Sequence, residues 1–274
     1  MKKQAGIAFV GCGNLSTSLV RGLLASDYPK EKIWVTNRSA EKNQLLHTTL
    51  GVHATEDNHE AVKHAEVIVL GVKPQQMQAV VQDIALIVRE KKPLVISVAI
   101  GISTKMLSSW LGGDCAIVRS MPNTPALVAA GASGLYANHC VTEVQKEFAE
   151  SVHRAVGMAI WVDKESLIDV VAALSGSGPA YFFYMIEAMQ SAAVKLGLPE
   201  REASVLALQT ALGASKLAIE SEEGVIALRR KVTSPKGTTE QAIKVFDERQ
   251  FPSIIEEGMR ATINRAQELA ESLA

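Results

Sequence analysis

The stretch GIAFVGCGNLSTSLVRGL, residues 6–23, decides how the rest of the chain is read. Its first five residues are apolar throughout, as a strand buried on both faces requires, and they run directly into Gly11-Cys12-Gly13-Asn14-Leu15-Ser16 and a helix-like segment. Glycine at positions 11 and 13 lets the chain turn sharply and brings bare backbone near a ligand. The helix opening behind the turn offers N–H groups without carbonyl partners and the positive end of a helix dipole, a setting that suits a pyrophosphate. Ser16 stands at the third small position, where glycine is commoner. The turn alone supports dinucleotide binding and nothing narrower.

Outward from this turn, the short apolar runs KIWVT, EVIVLGV, LVISVAI, CAIVRS and MAIWV alternate with helix-length stretches up to about residue 162. That alternation predicts an α/β domain with a Rossmann-like, doubly wound, mainly parallel sheet. Beyond Asp163 the pattern changes. Tyr181, Tyr184, Met185, Ala188, Met189, Ala192 and Leu196 share one helical face, and Ile255, Met259, Ile263, Ala266 and Leu273 fall near a second stripe. The expected division is a dinucleotide-binding domain over 1–163 and an all-helical domain over 164–274. The helical half is rich in alanine and short for an independent core, so it is expected to pack against a second copy of the chain.

The strand ends carry the site. The second strand ends in Thr36-Asn37-Arg38-Ser39, with no carboxylate for a ribose 2′-hydroxyl; a guanidinium and short polar side chains suit a 2′-phosphate instead. NADPH is therefore expected over NADH. Val72-Lys73-Pro74 and Ile100-Gly101 end two further strands and should line the remainder of the cofactor. Lys73 is read as a ribose or phosphate contact, or a cap, in preference to a proton donor. In the helical half, Val232-Thr233-Ser234-Pro235-Lys236-Gly237-Thr238-Thr239 forms a tight turn leading into a helix. Its opening amides form either a carboxylate-sized anion site, with the Ser234 and Thr239 hydroxyls beside it, or simply a well-capped helix start.

Bulk properties exclude several classes. With 28 basic and 29 acidic residues in mixed order and a net charge of −1, no basic stripe marks a nucleic-acid or membrane-surface partner. PLVISVAIGI, residues 93–102, is about half the roughly 20 residues a bilayer span needs. The start of the chain lacks the cleavage pattern of a secretion signal. Cys12, Cys115 and Cys140 are odd in number and lack metal-like spacing, so neither a disulfide framework nor a metal site is expected and a reducing cytoplasm fits. The six histidines fall outside the strand-end motifs and are assigned to packing or surface roles.

Five strings stand in one order: GCGNLS at 11–16, GVKPQ at 71–75, RSMPNTPA at 119–126, LSGSGPAYFF at 174–183 and VTSPKGTT at 232–239. Together they resemble the Δ1-pyrroline-5-carboxylate reductase family, end to end, and the last three are the specific ones. The resemblance implies NADPH-dependent reduction of the cyclic imine 1-pyrroline-5-carboxylate to L-proline. It implies that Val10, Gly11, Cys12, Gly13, Asn14 and Leu15 hold the pyrophosphate and that Asn37, Arg38 and Asn58, with Ser39, lie near the adenosine ribose and its phosphate. Val72, Lys73, Pro74, Val98 and Ala99 would flank the nicotinamide half, with Met121, Asn123 and Thr124 in the loop beneath the ring. Ser234, Gly237, Thr238 and Thr239 would hold the substrate, Thr239 being the group best placed to assist at the ring nitrogen. Lys236 departs from the family pattern, which favours glycine there. A homodimer through the C-terminal helices, with dimers closing into a ring, is the implied assembly. A β-hydroxyacid dehydrogenase fits poorly, because Lys216 comes three residues after Gly213 and Glu220 stands where an amide is needed. A non-catalytic NADP-binding sensor is opposed by the intact VTSPKGTT string.

Overall fold

The computed structural model describes residues 5–273. Its elements run β1 (Ile7–Val10), α1 (Asn14–Ala25), β2 (Ile33–Thr36), α2 (Ala40–Leu50), β3 (His53–Thr55), α3 (Asn58–Lys63), β4 (Val67–Leu70) and α4 (Pro74–Lys91). There follow β5 (Leu94–Ser97), α5 (Thr104–Leu111), β6 (Ile117–Met121), β7 (Gly131–Ala137), α6 (Glu143–Arg154), β8 (Gly157–Trp161) and α7 (Leu167–Val171). The rest is helical: α8 (Gly178–Lys195), α9 (Glu200–Glu220), α10 (Val225–Lys231), α11 (Thr238–Glu248) and α12 (Phe251–Leu273). Among the described residues no helix is long and apolar enough to cross a membrane.

One sheet holds all eight strands in the order β3-β2-β1-β4-β5-β6-β7-β8. Every neighbouring pair is parallel except β6 with β7, which run antiparallel with Met121 opposite Gly134. The doubly wound, mainly parallel sheet expected from the six apolar runs is present, and each run holds a strand. Side chains alternate across it. Ile7 and Phe9 of β1 join Leu19, Ile33, Val35 and Leu94 in one core, while Ala8 and Val10 join Ile68, Leu70, Met77 and Ile84 in another. Both faces are therefore dry, which is why these strands read as unbroken apolar runs.

Two strands lacked such runs. β3 is three residues long with His53 exposed, and β7 reads GASGLYA, with small residues where β-branched ones would signal a strand. α6 starts with a capping box formed by Thr142 and Gln145 and buries His153 completely. Burial pushes the His153 pKa down to about 4, so its ring packs as a neutral group, with no hydrogen-bond partner at either nitrogen.

The chain forms two compact units. One runs through Ser177 and includes the C-terminal segment from Ala261; the other is Gly178–Arg260. Compactness thus assigns 164–177 and the end of α12 to the unit that holds the sheet, where Leu273 packs against the core formed around Met77 and Ile84. The second unit has little core of its own. Ala203 and Ala207 of α9 are buried, yet Phe182, Phe183 and Tyr184 of α8 are 64%, 66% and 73% exposed. Apolar surface of this extent marks an interaction site.

Candidate active site

Strand order reverses direction at β1 and β4, the place where sheets of this kind open a crevice at their carboxyl ends. Gly11 follows β1 with φ 81°, a left-handed conformation that glycine adopts freely. A Cβ there would stand 2.4 Å from Val72 Cγ1 and 2.9 Å from the Val72 nitrogen. Ser16, at the third small position, sits against Gly71, where a Cβ would lie 2.2 Å from Ser16 Oγ. The two turns pack that closely because neither carries a bulky side chain. Gly13 caps α1 without any side-chain hydrogen bond, and nothing lies within 4 Å of where its Cβ would be. The opening amides of α1 therefore face an uncrowded space, the arrangement an incoming pyrophosphate needs.

One cleft is lined by Gly11, Gly13, Asn37, Arg38, Asn58, Val72 and Lys73 of the expected cofactor residues. Glu56, Gln76 and Val80 join them, and the sequence had not singled these out. A chain of hydrogen bonds fixes its floor. The Gly11 amide donates to Thr36 Oγ1 at 3.2 Å, Thr36 Oγ1 donates to Asn58 Oδ1 at 2.7 Å, and Asn37 Nδ2 donates to the Cys12 carbonyl at 3.0 Å. Arg38 is exposed and reaches across to α4, where Gln76, with its amide oxygen turned toward the guanidinium, accepts from both terminal nitrogens at 3.1 Å. Arg38 and Lys73 outnumber Glu56, so the cleft favours an anion.

Other expected residues lie around the cleft in different roles. Val10 is fully buried in β1, and its carbonyl accepts from the Gly71 amide at 2.9 Å. Burial pushes the Cys12 thiol up to about 11 against a weaker opposing effect of the Thr17 hydroxyl, so it stays protonated. Cys12 and Asn14 line a neighbouring groove, and Leu15 packs on the core. Ser39 Oγ caps α2 by accepting from the Lys42 amide at 3.3 Å, and Pro74 opens α4 with Lys73 as its cap. Val98 and Ala99 follow β5, in the loop whose Gly101 lies against Ala266 and Ala270 of α12.

Met121 ends β6, and Asn123 and Thr124 follow it. The Asn123 side chain is committed: Nδ2 donates to the Ser175 carbonyl at 2.9 Å and Oδ1 accepts from the Ala132 amide at 2.8 Å. Ser175 lies in a π-helical turn, Ala172–Gly176, where the widened spacing leaves a carbonyl for Asn123 to satisfy. Asn123 thus ties its loop to β7 and to this turn. Arg119, four residues before Asn123 in the same motif, is buried and places Nη2 2.7 Å from Asp169 Oδ1 and Nη1 3.6 Å from Glu165 Oε1. Glu165 in turn accepts from the Thr104 amide and hydroxyl, both at 2.7 Å. This tie joins β6 to α5 and α7, and it was invisible in the sequence because its members lie far apart.

In the second unit, the Gly237 amide donates to the Ser234 carbonyl at 2.9 Å, closing a turn that delivers Gly237 as the cap of α11. Its amides open that helix without a side-chain cap, and Ser234, Thr238 and Thr239 are exposed. Lys236 has φ 60°, which explains why glycine suits this position, and its amide donates to Glu240 Oε2 at 2.9 Å. Glu240 therefore sets a carboxylate at the same helix opening, a residue the sequence reading missed. Lys216 pairs with Glu220 at 3.7 Å on an exposed helix face, a surface role.

The glycine turn, the switch-point crevice and the open start of α1 define the class: a dinucleotide-binding protein of the Rossmann type with an appended helical unit. Residues 165–269 match the family model described as pyrroline-5-carboxylate reductase dimerisation, and residues 6–101 match the model of NADP oxidoreductase, coenzyme F420-dependent. The chain is 48% identical over 267 residues to the pyrroline-5-carboxylate reductase of Pseudomonas aeruginosa, covering 97% of each, and 37% identical over 273 residues to that of Escherichia coli, covering 99% of this chain and all of the relative. Its fold is similar to a solved pyrroline-5-carboxylate reductase of Coxiella burnetii, with a TM-score of 0.93, 48% identity and coverage of 97% and 99%. It is also similar to the Plasmodium falciparum pyrroline carboxylate reductase solved with NADP bound, with a TM-score of 0.87, 26% identity and coverage of 98% and 99%. The chain belongs to the pyrroline-5-carboxylate reductase family.

Proposed function

We propose that this protein reduces 1-pyrroline-5-carboxylate to L-proline with NADPH, the final step of proline biosynthesis. What carries the reading is similarity that extends over nearly the whole chain, through both compact units, to proteins of that one activity. Residues 1–163 form the cofactor-binding part and 164–274 the substrate and dimerisation part. When bound, NADPH supplies a hydride to the C=N carbon. The protein's own residues do the rest by binding and orienting.

The amides behind Gly11 and Gly13 hold the pyrophosphate. Asn37, Arg38, Ser39 and Asn58 receive the adenosine ribose and its 2′-phosphate, with Arg38 as the charged partner. Val72, Lys73 and Pro74, with Val98 and Ala99, flank the nicotinamide half, while Asn123 acts by holding the loop Met121–Thr124 in place. Arg38→Asp is expected to raise KM for NADPH by about tenfold to hundredfold, the scale of a lost charge-assisted contact, with a much smaller change for NADH. Steady-state assays with both cofactors decide it, and equal changes refute the assignment.

At the other site, the open amides of α11 and the hydroxyls of Ser234 and Thr238 hold the substrate carboxylate, fixing the ring. The Thr239 hydroxyl hydrogen-bonds the ring nitrogen, which keeps the proton that makes the imine electrophilic. The test is NADPH oxidation on addition of 1-pyrroline-5-carboxylate, followed in the wild type and in Thr239→Val. The wild type should turn over, and the variant should lose about one to two orders of magnitude in kcat at unchanged NADPH KM. Absence of turnover in the wild type refutes the activity; an unchanged kcat in the variant refutes the role of Thr239.

The exposed apolar face of α8 supports homodimer formation through the C-terminal helices, with several dimers closing a ring as the assembly that solution mass would read. The three cysteines, all free thiols, suit a cytoplasmic setting.

A further inference from the structure

We propose that Asp114, His139 and Cys140 form a surface Zn2+ site, three protein ligands with a fourth position left to water, at the end of the sheet away from the dinucleotide crevice. Sequence spacing gives no hint of it, because Asp114 precedes β6 whereas His139 and Cys140 follow β7. The antiparallel pairing of these two strands brings the start of one beside the end of the other. One ligand atom from each of the three residues then lies within 4.8 Å of the others, and among the described residues no other group of three His, Cys, Asp or Glu side chains converges in this way.

The geometry is close to what the metal requires. Cys140 Sγ stands 3.4 Å from His139 Nε2. Tetrahedral zinc with Zn–N near 2.0–2.1 Å and Zn–S near 2.3 Å sets its N and S ligands about 3.5 Å apart. The separation of thiol and imidazole therefore already matches the span that Zn2+ fills once the thiol proton leaves. Imidazole, thiolate and carboxylate together suit Zn2+ better than a hard cation such as Mg2+ or Ca2+, which takes oxygen ligands.

The two loops are also fixed in advance. The Asn138 side chain spans them, with Nδ2 donating to the Cys115 carbonyl at 2.8 Å and Oδ1 accepting from the Ile117 amide at 3.1 Å and the Cys140 amide at 3.2 Å. One amide thus sets the position of Cys140 against the strand that follows Asp114. Asp114 and Cys140 line a cleft that also holds Cys115, Arg89 and Lys92. The two cations oppose a bare metal ion, so both anionic ligands are needed to hold it. A carboxylate and a thiolate then balance the charge of Zn2+.

The experiment titrates Co2+, a spectroscopic stand-in for Zn2+, into the full-length, reduced, metal-free protein. Near-ultraviolet thiolate-to-cobalt absorption should grow to saturation at one equivalent per chain and be erased by one equivalent of Zn2+. It should vanish in Cys140→Ser, persist in Cys115→Ser, and require at least about tenfold more Co2+ in His139→Gln and Asp114→Asn, a loss no smaller than that for an outer-shell partner. Circular dichroism confirms that each variant folds, and the exposed His139 and Asp114 provide a test should Cys140→Ser fail to fold. Lack of the absorption in the wild type, its survival in Cys140→Ser, or indifference to both His139→Gln and Asp114→Asn overturns the site.

Discussion

Arg119→Met is expected to lower the free energy of unfolding by about 3–5 kcal/mol, the cost of removing one partner from a buried ion pair. The guanidinium is 6% exposed and the Asp169 and Glu165 side chains 17% and 23%, so solvent screens the pairs little. Without Arg119, the carboxylate of Asp169 loses the 2.7 Å contact that compensates its desolvation. Glu165 keeps its bonds from Thr104 but loses its cation. Replacing both ends of the shorter pair, Arg119→Met with Asp169→Leu, should recover much of the loss, since two apolar side chains leave no orphaned charge. Denaturant titration of the wild type, the single and the double variant checks this. A single variant within about 1 kcal/mol of wild type would show the tie to be an ordinary surface pair.

Gly11→Ala is expected to lower kcat/KM for NADPH by about a hundredfold, with the fold retained. The added methyl meets two obstacles. It forces a side chain into a left-handed conformation costing roughly 1–2 kcal/mol, and it meets Val72 Cγ1 and the Val72 backbone nitrogen well inside contact distance. The turns at Gly11 and Val72 must then separate, and both line the cleft proposed for the cofactor. Misplacement on the order of 1 Å in a binding constellation costs about 10²-fold. Adding Val72→Ala removes the side-chain contact but leaves the backbone contact and the strained φ, so it should restore activity only in part. Wild-type kinetics in Gly11→Ala would mean that the turn has room the geometry denies it.

These two sites mark how far the sequence could be read. The glycine turn is local, its meaning carried by neighbours in the chain, and its strand, turn and helix appear where the residues 6–23 place them. The ends of β2, β4 and β5 were legible for the same reason. The pairing of Arg119 with Asp169 was not, because nothing near either residue announces the other. Asn123 was legible as part of a motif, but its bonds to Ser175 and Ala132 depend on a π-turn and a strand that propensity hides. β7 escaped because Gly131, Ala132, Ser133 and Gly134 are small: β6 and β8 flank them, and a Cβ on Gly134 would meet Val171 at 2.7 Å. Close packing selected the residues that make a strand hardest to recognise. Gln76 was missed because its relevance comes from facing Arg38 across a cleft, Glu56 because it meets that cleft only through the fold, and Glu240 because its carboxylate turns back on the amide of Lys236.

The reversed strand β7 also changes what the chain must give up in configurational freedom to assemble its sheet. A parallel strand beside β6 would need a crossover of a dozen or more residues, usually a helix. Antiparallel pairing instead sets Met121 opposite Gly134, whereas β1 meets β4 with Ile7 opposite Val67. Closing the longer of these two loops costs about 1.4 kcal/mol more chain entropy than closing the shorter. The least entropically demanding registration in the sheet's interior therefore belongs to the hairpin-like corner that carries Asn123. The glycine turn meets β4, the second of the two neighbours of β1, only after a much longer excursion of the chain.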